Sequence, residues 1–596
     1  MTGHQPDLDQ PGLRDRAVRA ARGETPFDLL LKGGRVADVV TGELRVADVV
    51  TGELRDADVG LVGPLIASVH PSGSREDAAR SVELGGGIVA PGLIDTHLHI
   101  ESSMVTPRSY ASVVVPQGTT TICWDPHEVG NVGGLDAVRW AVAASRDLPL
   151  RILVQAPSCV PSAPGLERAG AVFGPEAMQE MLSWPEIIGV AEVMDMRGVI
   201  ERSPNMVGIV QAGLDSGKTV FGHARGLADA SLQAFVAAGV ASDHELTGRD
   251  DVLSKLRAGL TLEIRASHPD MAAEAAHAFK ALGHVPQTVT LCTDDIFPDD
   301  LVGKGGITQI LQMLVEHGVD PVAALRCGTL NAARWLGRRD LGLVAPGRRA
   351  DLVVFDDLVS FRARRVFVSG VEAASDGRLH SPVRDDAVPA PSGTMVLRPV
   401  SPSDFLIRAD GDRVVLNTVH TPRRTRWATR EAAVENGTVV LPEDCILMAV
   451  FNRYGIAEPP GLGVLEGWGR WSGAFATTIL HDSHNLAVFG RDPELMCAAA
   501  HALIAAGGGM AAVQGNGTVE TLALPVCGLL SEDAPHVVAR RFAALRLASE
   551  QVADGLEAPL VKLAIGASLA CNPGPHVTDL GITDGMTGQI EPPLAA

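Results

Sequence analysis

Between residues 88 and 340 the chain carries eight short apolar, β-rich runs separated by helical stretches, at 94–100, 119–124, 151–156, 187–193, 219–223, 240–244, 260–264 and 288–293. No other feature constrains the fold so strongly. Strand–helix alternation of this kind produces parallel strands joined by right-handed crossovers, and eight such units close into a (β/α)8 barrel. Each run turns polar at its C-terminal edge: His97 and His99, Asp125 and His127, Ser158 and Cys159, Glu192, His223, Asp243 and His244, Glu263 and Arg265, Asp294 and Asp295. In a barrel these edges converge on the one face that houses the active site.

The flanks read differently. Residues 1–26 are polar and are expected to form a flexible leader with one short helix. Short strands at 27–88 and 341–385 predict a small β-sandwich domain built from both sides of the barrel, which itself spans 89–340. VADVVTGELR occurs at 36–45 and again at 46–55, which predicts an extended hairpin from a tandem duplication. Pro389, Pro391 and Pro399 mark a linker over 384–400, and 400–596 is expected to form an additional C-terminal α/β domain with strands near 412–417 and 446–454 and helices over 492–506 and 536–553. The fold class is therefore α/β, a TIM-like barrel with two appended domains. The Ala-rich stretch 495–513 contains His501 and Gly507-Gly508-Gly509 and reads as a buried helix with a glycine stop rather than a membrane span.

A net charge of −21 with no basic stripe argues against nucleic-acid binding. The eight cysteines are dispersed, without a CxxC pair, which fits a reduced, cytoplasmic protein. A homodimer is the default assembly. Neither Gly85-Gly86-Gly87 nor Gly507-Gly508-Gly509 is followed by the Lys-Ser/Thr of a phosphate-binding loop.

His97 and His99, two apart on a strand, project the same way and suit one metal ion. His223, His244 and Asp294 end later runs. Four histidines and an aspartate exceed one tetrahedral site, so two ions, or one ion plus catalytic histidines, are implied. Two ions need a bridging ligand. The fourth run ends in Glu192, whereas Lys218, the only lysine between 151 and 250, starts the fifth strand about 16 Å from His223 at ~3.3 Å per residue. Glu192 is thus the bridging candidate. Asp294 suits proton transfer and His244 polarisation of the attacked centre, yet each also fits a purely ligating role, and spacing alone leaves both open.

The residues 91–103 (Pro-Gly-Leu-Ile-Asp-Thr-His-Leu-His-Ile-Glu-Ser-Ser), Asp125-Pro126-His127-Glu128, Ser158-Cys159-Val160-Pro161, Ala191-Glu192-Val193-Met194, Gly222-His223-Ala224, Ser242-Asp243-His244-Glu245, Thr293-Asp294-Asp295, Asn331-Ala332-Ala333 and His481-Asp482-Ser483-His484-Asn485 resemble those of bacterial adenine deaminases of the amidohydrolase superfamily, over roughly 28–580. The resemblance implies hydrolysis of adenine to hypoxanthine and ammonia, by attack of metal-activated hydroxide on purine C6, at a centre of two divalent ions (Mn, Fe or Zn). It implies His97, His99, Glu192, His223, His244 and Asp294 as metal ligands, with Asp294, His244 and Glu192 also catalytic. Asp125, His127, Ser158, Cys159, His481, Asp482 and His484 are then expected at the substrate, a small purine base, with no nucleic-acid or membrane partner. Departures are Gly303-Lys304-Gly305-Gly306, where the family pattern has a histidine, and Arg225 in place of a proline.

Two other readings share the barrel. A cyclic amidohydrolase, dihydropyrimidinase-like or imidazolone-type, would open a ring amide, but such enzymes use a bridging lysine or a single ion and lack a 400–580 region. A non-catalytic barrel scaffold predicts missing ligands, whereas all six positions are filled.

Overall fold

The computed structural model describes residues 7–40, 54–265, 267–382, 388–420 and 425–595. At its centre run eight parallel strands: β1 (Leu93–Leu98), β2 (Thr119–Trp124), β3 (Arg151–Ala156), β4 (Ile187–Val193), β5 (Thr219–Gly222), β6 (Ser242–Asp243), β7 (Thr261–Arg265) and β8 (Val289–Cys292). They are short, rich in Val, Ile, Leu and Thr, and most are buried along their whole length, as strands packed on both faces must be. Helices such as Pro204–Asp215 and Pro269–Leu282 connect them.

The hydrogen-bonded ladder is in two pieces, β1 to β5 and β6 to β8. At the β8/β1 seam the Asp294 amide donates to the His97 carbonyl at 3.1 Å and Leu98 bridges Asp294. At the β5/β6 seam the Ala241 amide donates to the Val220 carbonyl at 3.0 Å. Gly222 permits this approach, since a Cβ there would lie 2.3 Å from the Ser242 carbonyl oxygen.

The strands flanking the barrel in sequence join one nine-stranded sheet. Leu352–Phe355 pairs antiparallel with Ile88–Pro91, which lies parallel to Leu29–Ala37, so chain from both sides of the barrel shares a ladder. Val36 and Ala37 face Arg55 and Leu54 in register, while the body of the duplicated hairpin, 41–53, lies outside the described residues. Residues 11–21, read from sequence as part of a flexible leader, form a helix docked on this sheet, with Ala20 packed fully buried among Phe27, Leu30, Val62 and Ala67.

A second nine-stranded sheet occupies 413–523. The helix Pro493–Ala506 stops at Gly507 in the left-handed region, the glycine stop that the sequence predicts, while the end of the 495–513 stretch, Gly509–Val513, is the strand next to one edge of that sheet. The helix expected to reach 553 ends at Glu550. The loop 478–485 between Ala474–Thr477 and Leu486–Gly490 reaches to the barrel, where the Asn485 side-chain amide donates to the Arg168 carbonyl at 2.8 Å. Arg453, fully buried, holds this loop by donating to the His484 and Cys527 carbonyls. Among the described residues no helix is long and apolar enough to cross a membrane.

Candidate metal centre

The C-terminal ends of the barrel strands bring the six predicted ligands together, all buried. Glu192 stands in the middle. Its Oε1 lies 3.2 Å from Nε2 of His99 and 3.7 Å from Nε2 of His97, whereas Oε2 lies 2.8 Å from Nδ1 of His223 and 3.3 Å from Nε2 of His244. One carboxylate thus turns an oxygen toward each histidine pair. Oδ1 of Asp294 completes the first group, 3.3 Å from Nε2 of both His97 and His99. His97 also stacks on His244, ring centroids 4.2 Å apart.

Local structure aims these groups. The β-strand alternation turns His97 and His99 inward together. Nδ1 of His99 donates to the Asp125 carbonyl at 3.1 Å, which leaves Nε2 free to ligate. Asp294 has a left-handed backbone, φ 54°, immediately after β8, a conformation that Asp tolerates better than most residues.

The electrostatics fit a cation. His97 (both ring nitrogens), Nε2 of His223 and Nδ1 of His244 are buried without a hydrogen-bond partner, an expensive condition that a ligated ion removes. Burial and the neighbouring His244 hold His97 below the ordinary imidazole range. Burial also opposes protonation of His99, His127 and His244, yet Asp294 and Glu192 outweigh it at His99, Asp125 raises His127 to about 10, and Glu192 raises His244 to about 9. Burial alone would lift Glu192 and Asp294, but the histidines around Glu192 and the Arg265 guanidinium beside Asp294 hold both well below the usual carboxylate range. The carboxylates therefore call for positive charge at this spot, and a divalent cation supplies it. Several ligand groups are seated for it, among them His97 with His99 and Asp294, His97 with Glu192 and His244, and His223 with His244 and Glu245.

The expected substrate residues divide. His127 pairs with Asp125 at 3.0 Å and faces Oδ1 of Asp482 at 3.8 Å, so the C-terminal loop reaches the centre. His481 and His484 each approach a different oxygen of Glu128, both at 3.7 Å. Ser158 Oγ donates to the Glu192 carbonyl at 2.6 Å and Cys159 Sγ contacts the same oxygen at 2.9 Å, so both hold the backbone of Glu192. The sequence places Asp295 and Arg265 at strand ends and Glu128 in a motif, but assigns none of them a role. Ser102 Oγ donates to both Glu128 and Asp295, and Arg265 pairs with Glu245 and Asp294. Arg265 carried a signal, a charged residue closing an apolar strand, but its partners come from β6 and β8 and are adjacent only in space.

A parallel α/β barrel with a buried histidine–carboxylate cluster at its C-terminal mouth defines the class of metal-dependent hydrolases, and residues 88–373 match the amidohydrolase family model. Residues 423–589 match the adenine deaminase C-terminal domain. Adenine deaminase 2 of Agrobacterium fabrum (strain C58 / ATCC 33970) is 54% identical, over 98% of this chain and 96% of its own. Adenine deaminase 2 of Rhizobium meliloti (strain 1021) is 54% identical over 98% and 97%, and adenine deaminase of Klebsiella pneumoniae (strain 342) is 52% identical over 98% and 96%. The chain belongs to the adenine deaminase family. These relatives do not favour the ring-amide reading.

Proposed function

We propose that this protein hydrolyses adenine to hypoxanthine and ammonia at a centre of two divalent ions, manganese, iron or zinc. The observation that carries the two-ion reading is Glu192, one oxygen toward His97 and His99 and the other toward His223 and His244. Ions held there by His97, His99, Glu192, His223, His244 and Asp294 supply Lewis acidity and bring the pKa of water down toward about 7.

The chain's own groups do the rest. Asp294, kept ionised by Arg265, accepts a proton from the attacking water and passes it toward the ring nitrogen or the amine. Water oxygen bonds to C6 of the purine, the C6–N bond breaks, and the amine leaves with that proton as ammonia. His244 orients the attacked carbon. The Asp125–His127 pair offers a second proton relay, with Asp482 beside it. Ser158 and Cys159 steady Glu192. Glu128, Asp295, His481 and His484 converge from barrel loops and the C-terminal loop on the side where the purine enters, each buried or half-buried.

In domain terms we read 27–88 with 341–385 as one β unit, 89–340 as the barrel and 400–596 as a unit whose loop closes over the barrel mouth. Adenine, other aminopurines and a hydantoin assayed together with manganese-loaded protein test this reading. Ammonia release from adenine without ring opening is the expected result, and activity on another aminopurine or a ring amide with adenine inert overturns it.

A further inference from the structure

The two breaks in the barrel ladder both fall between candidate ligands. The β5/β6 seam separates His223 from His244, and the β8/β1 seam separates Asp294 from His97 and His99. Backbone pairing across each seam is sparse, Asp294 to His97 at one and Ala241 to Val220 at the other, though each ligand pair must hold its spacing to a fraction of an ångström to bind an ion well. At each seam a buried aspartate that is not itself aimed into the centre crosses the gap.

At β5/β6 this is Asp243, fully buried. Its Oδ1 accepts the backbone amide of Ala224, the residue after His223, at 2.6 Å, and that of Glu245, the residue after His244, at 3.2 Å. Its other oxygen pairs with Nζ of Lys255, also fully buried, at 2.8 Å, and Lys255 in turn donates to the Glu245 carbonyl at 2.9 Å. At β8/β1 it is Asp95, 1% exposed. Oδ1 accepts the amides of Thr293 at 3.1 Å and His97 at 3.4 Å, and Oδ2 accepts the Thr293 hydroxyl at 2.6 Å. In both cases one carboxylate binds the backbone next to a ligand on each side of the seam.

We propose that Asp243 and Asp95 are positioning residues that staple the two open seams of the barrel and so set the spacing of the ligand pairs His223/His244 and His97/Asp294. Side chains supplement the sparse backbone pairing, since a carboxylate, with two oxygens, can accept from two strands at once. The inference rests on those residues being the metal ligands.

Cobalt(II) binding tests it, read by the visible absorption bands and by competition with a chelator, beside melting of the metal-free protein. All Asp243 variants carry Lys255→Met, which avoids stranding a buried cation. Asp243→Asn keeps the Oδ1 acceptor, and Asp243→Leu removes it at similar volume. We expect the Asn protein to match the Lys255→Met background, and the Leu protein to bind cobalt roughly 10- to 100-fold more weakly, with altered bands. Equal affinity and equal bands for Asn and Leu overturn the proposal, as does a Leu protein that only melts earlier. Should the Leu protein not fold, Thr293→Val decides at the other seam: about fivefold weaker cobalt binding is expected from the lost hydroxyl, and no change overturns the staple. Failure of the unmutated protein to bind cobalt would instead refute the metal reading beneath it.

Discussion

Glu192 and His223 lie in contact, Oε2 to Nδ1 at 2.8 Å, while the other Glu192 oxygen faces His99 at 3.2 Å. A single carboxylate spanning two histidine groups is the arrangement of a bridging ligand. Glu192→Gln keeps the shape and removes the charge that the two proposed ions would share. Metal analysis of the purified variant should fall below two ions per chain, with kcat for adenine down by about 100-fold or more. Two tightly held ions and unchanged kcat would show that Glu192 bridges nothing.

Asp294 differs from Glu192 in touching a cation of the protein, Arg265, as well as His97 and His99. That neighbour keeps the carboxylate ionised between turnovers, so it is available to take a proton from the attacking water. Asp294→Asn should lower kcat by roughly 10² to 10⁴, more than any loss of metal measured on the same sample explains. Activity that simply tracks metal content would make Asp294 a ligand and nothing further.

How much of this could be read beforehand depends on the length scale of each relationship. His97 and His99 were legible because strand alternation alone puts residues two apart on one side. Glu192, His223, His244 and Asp294 were legible because parallel strands share an active end. The orientation of Ser158 and Cys159 was not: strand-end position told that they lie near the centre, but the carbonyl they bind belongs to β4, and only the packed barrel brings it within reach. Glu128, Asp295 and Arg265 were marked by motif or strand end, but their roles were not legible for the same reason, each acting through partners far away in the chain. The glycine stop at Gly507 was legible too, but not that the apolar run resumes beyond it as the strand Gly509–Val513, since a short apolar run alone does not tell strand from helix.

The loop 481–485 comes from outside the barrel, yet His484 is fully buried with both ring nitrogens unpartnered, and Nε2 points to Glu128 at 3.7 Å. A side chain held so is poised for a guest. His484→Ala should reduce kcat/KM for adenine by at least about tenfold, about the worth of one polar contact, with metal content unaltered. Unchanged catalytic efficiency removes this loop from substrate binding.

Removal of metal should cost stability, because buried ring nitrogens then lose a ligated partner. Chelated protein is expected to melt earlier, and added manganese should raise the melting temperature progressively. Ligand at 100 times its dissociation constant stabilises by about 2.7 kcal/mol. A melting temperature indifferent to manganese over that range would mean that binding is not coupled to folding.

Acid should weaken the C-terminal region through His576. This imidazole is 5% exposed, and Nδ1 donates to the Gly574 carbonyl at 3.1 Å. Burial lowers its pKa from 6.5 to about 4. The unfolded chain takes up a proton near 6.5 while the folded chain resists until about 4, so between those values the unfolded state binds more protons and stability falls as pH falls. The full contribution is on the order of 3 kcal/mol, present above pH 6.5 and lost by about pH 4. His576→Asn keeps a donor for Gly574 and cannot titrate. Melting curves of both proteins from pH 7.5 to 4 should show the wild type losing its margin over the variant across that window, because acid effects at the metal centre are common to both and cancel. A margin constant with pH would mean that His576 titrates alike in the folded and unfolded chain.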